Sequence, residues 1–165
     1  MSRLAPIAGA LVVAWTVATA GTVVADDTRW RARGDGIGAQ AAWRGAAGVG
    51  ATVQCEQGDA RLLLRIDPAV LPAGLEKITL IADGTGMDYP VERASAGGYV
   101  SKIALDAPIL DRMLLARAFT LQGGGRSLQT GIPGEALARV VRACRAHHWP
   151  REARIDPSDA GFAKK

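Results

Sequence analysis

Turn signals cut this chain into pieces too short for most folds. From Thr28 to Gln129 the stretches GDGIG, GAAGVG, QGD, DPAVLPAG, GTGM, SAGG and GGG recur, and the segments between them run only a few residues. Parallel strands need a crossover of a dozen or more residues, usually a helix, so a doubly wound α/β sheet has no room to form. Short strands joined by tight turns build antiparallel sheets instead.

The segments alternate. In GATVQCE, Val53 and Cys55 fall on one face and Thr52 and Gln54 on the other. In ARLLLRI, Leu62, Leu64 and Ile66 alternate with Arg61, Leu63 and Arg65. Around QGD these two runs predict a β-hairpin. TRWRAR and AQAAWRG are strand candidates on either side of GDGIG, where glycine can take the positive φ of a turn. KITLIAD is the next strand and GTGM its turn. DYPVER follows as an edge strand, because Pro90 has no N–H to give to a ladder. YVSKIAL is another alternating run, and AFTLQ-GGG-RSLQT reads as a second hairpin.

Twice the period becomes helical. DAPILDRMLLAR predicts a helix with Asp106 as N-cap, Pro108 in the first turn, and Leu110, Met113 and Leu114 at helical spacing. A second helix is expected from near Thr130, with Thr130 as cap and Pro133 in the first turn. Its Leu137, Val140, Val141 and Cys144 stand at i, i+3, i+4 and i+7 and share one face, while Arg139, Arg142 and Arg145 take the opposite one. The expected fold is therefore mostly β. It is an antiparallel sandwich or partly open barrel of about seven or eight short strands, with two helices, the last packed on the sheet.

The N-terminal MSRLAPIAGALVVAWTVATAGTVVADD places Arg3 before an uncharged run from Leu4 to Ala25, followed by Asp26 and Asp27. Small residues at its end suit cleavage before Asp26, so 1–25 is read as a signal peptide. Retention as an anchor is the alternative, since the run is just long enough to span a bilayer. Residues 26–149 then form one β-rich domain, 150–165 a flexible tail of mixed prolines and charges, and the protein is periplasmic or secreted. The formal net charge of +4 falls by one with Arg3. Arg29, Arg31, Arg33, Arg61, Arg65, Arg93, Arg112 and Arg139 are scattered and lack the like-charge block of a nucleic-acid arm, so no nucleic-acid partner is expected.

Cys55 and Cys144 are the two cysteines of the chain. In an oxidising compartment two thiols in one domain pair, which would tie the first hairpin to the last helix. For so long a loop the chain-entropy model assigns about 4–5 kcal/mol. The pairing also consumes the thiol that a Cys–His nucleophile would need. In EALARVVRACRAHHWP, Cys144 with His147 or His148 supplies two metal ligands where zinc takes three or four. The two histidines are also about 100° apart around a helix. No metal and no cofactor are therefore expected, and the histidines are the polar end of the helix, able to meet its last carbonyls. Asp83 and Asp88 in ADGTGMDYP fit a turn better than a calcium loop, which needs more carboxylates. GDGIG and GAAGVG lack the context of a dinucleotide fingerprint. Ser95, Ser101 and Ser127 lack G-x-S-x-G surroundings.

A leader-bearing chain with an early Trp30, a hairpin carrying Cys55, a central Ile81 to Gly84, and Gly131, Ala136-Leu137 and Cys144 in its last helical region resembles a group of small exported proteobacterial proteins. These are proteins of the invasion-associated locus B type and accessory proteins of secretion systems. The resemblance covers most of the mature chain, which departs from it in having just two cysteines and a triple-glycine hairpin. It implies a disulfide-bonded β-sandwich with no known reaction, and it brings no catalytic residues. The expected function is an exported envelope protein that binds another protein or an envelope component without catalysis. Arg139, Arg142 and Arg145 form the candidate partner-binding face. The alternatives are a hydrolase using Asp83 or Asp88 with His147 or His148, and a protein held at the membrane by an uncleaved N-terminal segment.

Overall fold

The computed structural model describes residues 29–45 and 50–149. The expected signal peptide and the expected C-terminal tail lie outside the described residues. Ten strands among the described residues form two antiparallel sheets. The first has the order β1 (Arg31–Arg33), β2 (Gln40–Arg44), β3 (Gly50–Cys55), β4 (Arg61–Ile66), β8 (Tyr99–Ala104) and β7 (Glu92–Arg93). The second has the order β10 (Arg126–Gln129), β9 (Phe119–Gly123), β5 (Lys77–Ala82) and β6 (Thr85–Pro90). Neither sheet closes on itself, so the architecture is a sandwich and not a barrel. The count exceeds the expected one because the expected DYPVER strand is divided, its first half ending β6 and its last two residues forming β7, while TRWRAR contributes only the three-residue β1.

The β3–β4 hairpin forms with Val53 opposite Leu64 and Cys55 opposite Leu62. Since side chains alternate across a strand, this register turns Val53, Cys55, Leu62, Leu64 and Ile66 inward together. All five are buried. The β5–β6 turn lies earlier than GTGM. Asp83 and Gly84 occupy it, with φ of 49° and 70°, and β6 begins at Thr85. Two positive-φ residues in a two-residue loop match the twist of a hairpin, and Asp-Gly is among the pairs that adopt it most readily. β6 is the edge strand, as Pro90 requires. Entry to β8 depends on Gly98, which sits at φ +78° with a Cβ position that would overlap the Ile66 carbonyl oxygen.

Both helices start without the expected side-chain caps. The first, α1 (Pro108–Leu115), follows Ala107 as N-cap, and no side chain caps its first turn. Asp106 stands one residue before the N-cap, and the proline at the first helical position has no N–H to satisfy. The second, α2 (Gly134–His148), begins after Pro133 and not near Thr130. The β9–β10 ladder takes Thr130 instead: its amide bonds the Phe119 carbonyl at 2.8 Å. Its hydroxyl also donates to that oxygen, at 3.0 Å.

The predicted face of α2 is the buried one, with Leu137, Val140, Val141 and Cys144 all within the core. Burying a residue such as Leu137 contributes about 1.5–3 kcal/mol. The helix lies against β1, β2, β3 and β4. Its side chains join those of both sheets and of α1 in one apolar cluster that includes Trp43, Leu80, Phe119 and Leu121. Trp30 enters this cluster with its ring 5.5 Å from that of Phe119, and its amide bonds the Ile132 carbonyl just before α2.

Candidate functional site

The C-terminal turn of α2 meets the end of β3, and here the sequence motif resolves into parts. Cys144 is disulfide-bonded to Cys55 across 89 residues of chain, with the Cα atoms 5.4 Å apart. Residues four apart share a helix face, so His148 follows Cys144 toward the sheet while His147 stays exposed. His148 Nε2 lies 2.9 Å from the Glu56 carbonyl oxygen, and the His147 ring packs edge-on against the His148 ring. The two histidines thus take different environments, as their spacing around the helix requires. A buried disulfide leaves no thiol for nucleophilic catalysis.

The three arginines of the candidate partner-binding face each meet a carboxylate. Arg139 pairs with Asp35, beside the short 3-10 turn over Gly36–Gly38, and Arg142 pairs with Glu135 two helix turns back. Arg145 reaches Asp111 of α1 at 3.1 Å and gives two hydrogen bonds to the Leu105 carbonyl, at 3.2 and 2.9 Å. Arg139 and Arg142 are exposed, whereas Arg145 is half-buried. Exposed ion pairs contribute little stability and exchange readily, so Arg139 and Arg142 stay open to another anion. Arg145 is a strut between the two helices.

Asp83 and Asp88 belong to the β5–β6 hairpin, in the other sheet from the one that His148 contacts. Asp88 accepts hydrogen bonds from the Lys77 amine and the Thr79 hydroxyl, both at 2.6 Å. The Lys77 contact, followed by that of Thr79, holds the Asp88 carboxyl below the usual aspartate range. The same hydrogen bond raises the Lys77 amine. A carboxylate stabilised as the anion is a weaker base, and its bonds go to its own sheet. Asp83 is committed to the turn. On the neighbouring strand position, burial pushes the Tyr89 hydroxyl up.

A groove of about 630 Å³ runs over the four-stranded sheet between the β4–β5 connection and the triple-glycine hairpin, and Lys77, Thr79, Gln122, Arg126 and Ser127 line it. Its lysine is the one already held by Asp88. A second basic surface was legible only in part: Arg61 and Arg65 alternate outward in the sequence. Strand register sets Arg33 of β1 and Arg44 of β2 on this same outer face of the six-stranded sheet. Two of its cations are paired, Arg61 with Asp59 at 3.8 Å and Lys102 with Glu56 at 3.1 Å.

Fold and sites together define a disulfide-bonded antiparallel β-sandwich with two helices. Among the described residues no helix is long and apolar enough to cross a membrane. Comparison with protein-family models, curated proteins and solved structures finds no match.

Proposed function

We propose that this is an exported protein of the cell envelope that binds an acidic partner protein and performs no catalysis. The buried Cys55–Cys144 bond carries this reading, because a disulfide between two core elements persists where thiols are not kept reduced. The resemblance to small exported proteins of the invasion-associated locus B type points the same way. Residues 1–25 are the export signal, removed before Asp26, and the protein is periplasmic or secreted. The partner-binding face is that of Arg139 and Arg142, whose exposed pairs with Asp35 and Glu135 can be exchanged for carboxylates of a partner. Arg145 fixes the helix that presents them. The separation of Asp83 and Asp88 from the histidines supports a binding role over hydrolysis.

The test is crosslinking of the full chain in its own cells, with a photo-reactive residue placed at Ala146, exposed on the same helix face as Arg139 and Arg142, or, for comparison, at Arg65 on the outer sheet face. Capture of one dominant acidic envelope protein from position 146, lost when R139A and R142A are added, is the expected result. Capture from position 65 alone would move the interface to the outer sheet face. No capture from either, with turnover of a substrate library by the purified protein, would replace binding by catalysis. Intact mass should show loss of Met1 to Ala25, and its retention would make the protein membrane-anchored.

A further inference from the structure

The disulfide and His148 belong to one constellation. The two sulfurs and an imidazole nitrogen of His148 all lie within 4.8 Å of one another, with both cysteines buried and the histidine half-buried. Cysteine and histidine are the ligands zinc prefers, at about 2.3 Å for sulfur and about 2.0 Å for nitrogen. Tetrahedral coordination would set such donors roughly 3.5–3.8 Å apart, given those bond lengths. Opening the S–S bond frees the two sulfurs to separate toward that spacing, with a nitrogen of His148 already within 4.8 Å of both. Helix geometry contributes two of the ligands, Cys144 and His148 at i and i+4, and the end of β3 contributes Cys55.

A second feature suits a ligand role for His148. Ligating histidines almost always donate their other ring N–H to a carbonyl, a carboxylate or water, which fixes the tautomer and orients the ring. His148 makes a bond of that kind: a carbonyl oxygen can only accept, so Nε2 donates to Glu56, which leaves Nδ1 as the ring nitrogen able to ligate. The surroundings also accommodate the thiol form. Cys55 Sγ lies 3.7 Å from the Glu56 carbonyl and Cys144 Sγ 3.6 Å from the Arg61 carbonyl, acceptors that a disulfide cannot use and a thiol can.

We propose that Cys55, Cys144 and His148 have two mutually exclusive states: a disulfide when oxidised, and a three-ligand site for a thiophilic divalent ion of the zinc class when reduced. A dithiol reductant converts one to the other. It becomes a cyclic disulfide and passes two electrons and two protons to the cysteines, giving two thiols. Binding of the ion then displaces both thiol protons, and water fills the fourth position. His147, on the exposed side of the helix, takes no part.

The test uses the protein purified from the cells that make it, as those cells process it, reduced anaerobically with dithiothreitol and freed of it by gel filtration. Near-ultraviolet circular dichroism checks its packing. Zinc is titrated against a chromophoric chelator, and cobalt replaces it to read thiolate-to-metal charge transfer. One zinc per chain is expected for the reduced protein and none for the oxidised protein. His148→Ala should weaken zinc binding at least about tenfold, the scale on which even outer-shell changes act at such sites, and His147→Ala should leave it unchanged. Equal affinity in His148→Ala and the unaltered chain would remove His148 from the site. A reduced protein that keeps its packing but binds no zinc would overturn the proposal. So would one that neither keeps its packing nor regains it when zinc is added.

Discussion

His148 donates from Nε2 to the carbonyl oxygen of Glu56 across 92 residues of chain. The contact pins the last residue of α2 to the point where β3 ends, beside the disulfide that joins the same two elements. A helix terminus frays unless something holds it, and here a side chain and a covalent bond hold one turn. His148→Ala should therefore cost about 0.5–1.5 kcal/mol in urea unfolding of the oxidised protein, the usual net value of one hydrogen bond. His147→Ala, at an exposed position, should stay within about 0.5 kcal/mol. The reverse order of effects would show that the contact does not hold the helix end.

Replacing both cysteines, as C55A/C144A, removes the crosslink without leaving an unpaired thiol. The bond closes 89 residues, a large fraction of the folded chain, and loss of a native disulfide from a small exported domain costs about 2–5 kcal/mol. The unfolding midpoint should fall accordingly, with a larger m-value, because the unlinked denatured chain expands further. An unchanged midpoint would mean that core packing of Leu137, Val140 and Val141 alone fixes α2.

Tyr99 organises the connection between the sheets. Its hydroxyl donates to the Pro72 carbonyl at 2.6 Å and accepts from the Leu75 amide at 3.3 Å. The ring itself is in the core. Tyr99→Phe keeps the ring and strands both backbone partners, which should cost about 1–3 kcal/mol. Hydrogen exchange at the Leu75 amide should quicken more than at Leu80 within β5. Uniform quickening across the sheet would mean that the loss is global and that Tyr99 does not anchor this segment in particular.

The periodicities that face water on one side were the legible part of this chain. Leu62, Leu64 and Ile66, and Leu137, Val140, Val141 and Cys144, lie inside because a strand repeats at two residues and a helix at 3.6. Points where tertiary structure competes for a residue were not legible. Thr130 has the chemistry of a cap, but the ladder to Phe119 claims it. Asp106 has the same chemistry but stands one residue before the N-cap. Asp83-Gly84 was legible in principle, since Asp-Gly is a strong hairpin signal; the glycines of GTGM drew the turn two residues too far. At the candidate site the pairing of Cys55 with Cys144 followed from their number. The choice of His148 over His147 did not, because it depends on where β3 ends relative to the helix. The ion pairs of Arg139 and Arg145 join residues distant in sequence and had no local signal at all.

The Lys77–Asp88–Thr79 cluster gives the fold a pH dependence whose sign follows from its geometry. Asp88 is held below the usual aspartate range in the folded protein, chiefly by its hydrogen bond from Lys77 and then by that from Thr79. Its contribution is thus complete above the pKa of an aspartate in the unfolded chain and is lost as pH falls through the lower, folded value. Lys77 is raised by the same partner, so its contribution is complete below the unfolded lysine value and is lost as pH rises through the folded one. Both side chains are largely in water, 70% and 49% exposed, and salt screens such pairs. Asp88→Asn should therefore lower the urea midpoint by a small, constant amount across neutral pH. The difference should vanish in acid, shrink in strong alkali and shrink again in high salt. NMR titration of the Asp88 carboxyl checks the cause directly. A midpoint at or above that of an ordinary aspartate would show that Lys77 and Thr79 do not hold the anion, and the difference between the two proteins would then have to come from β6 packing.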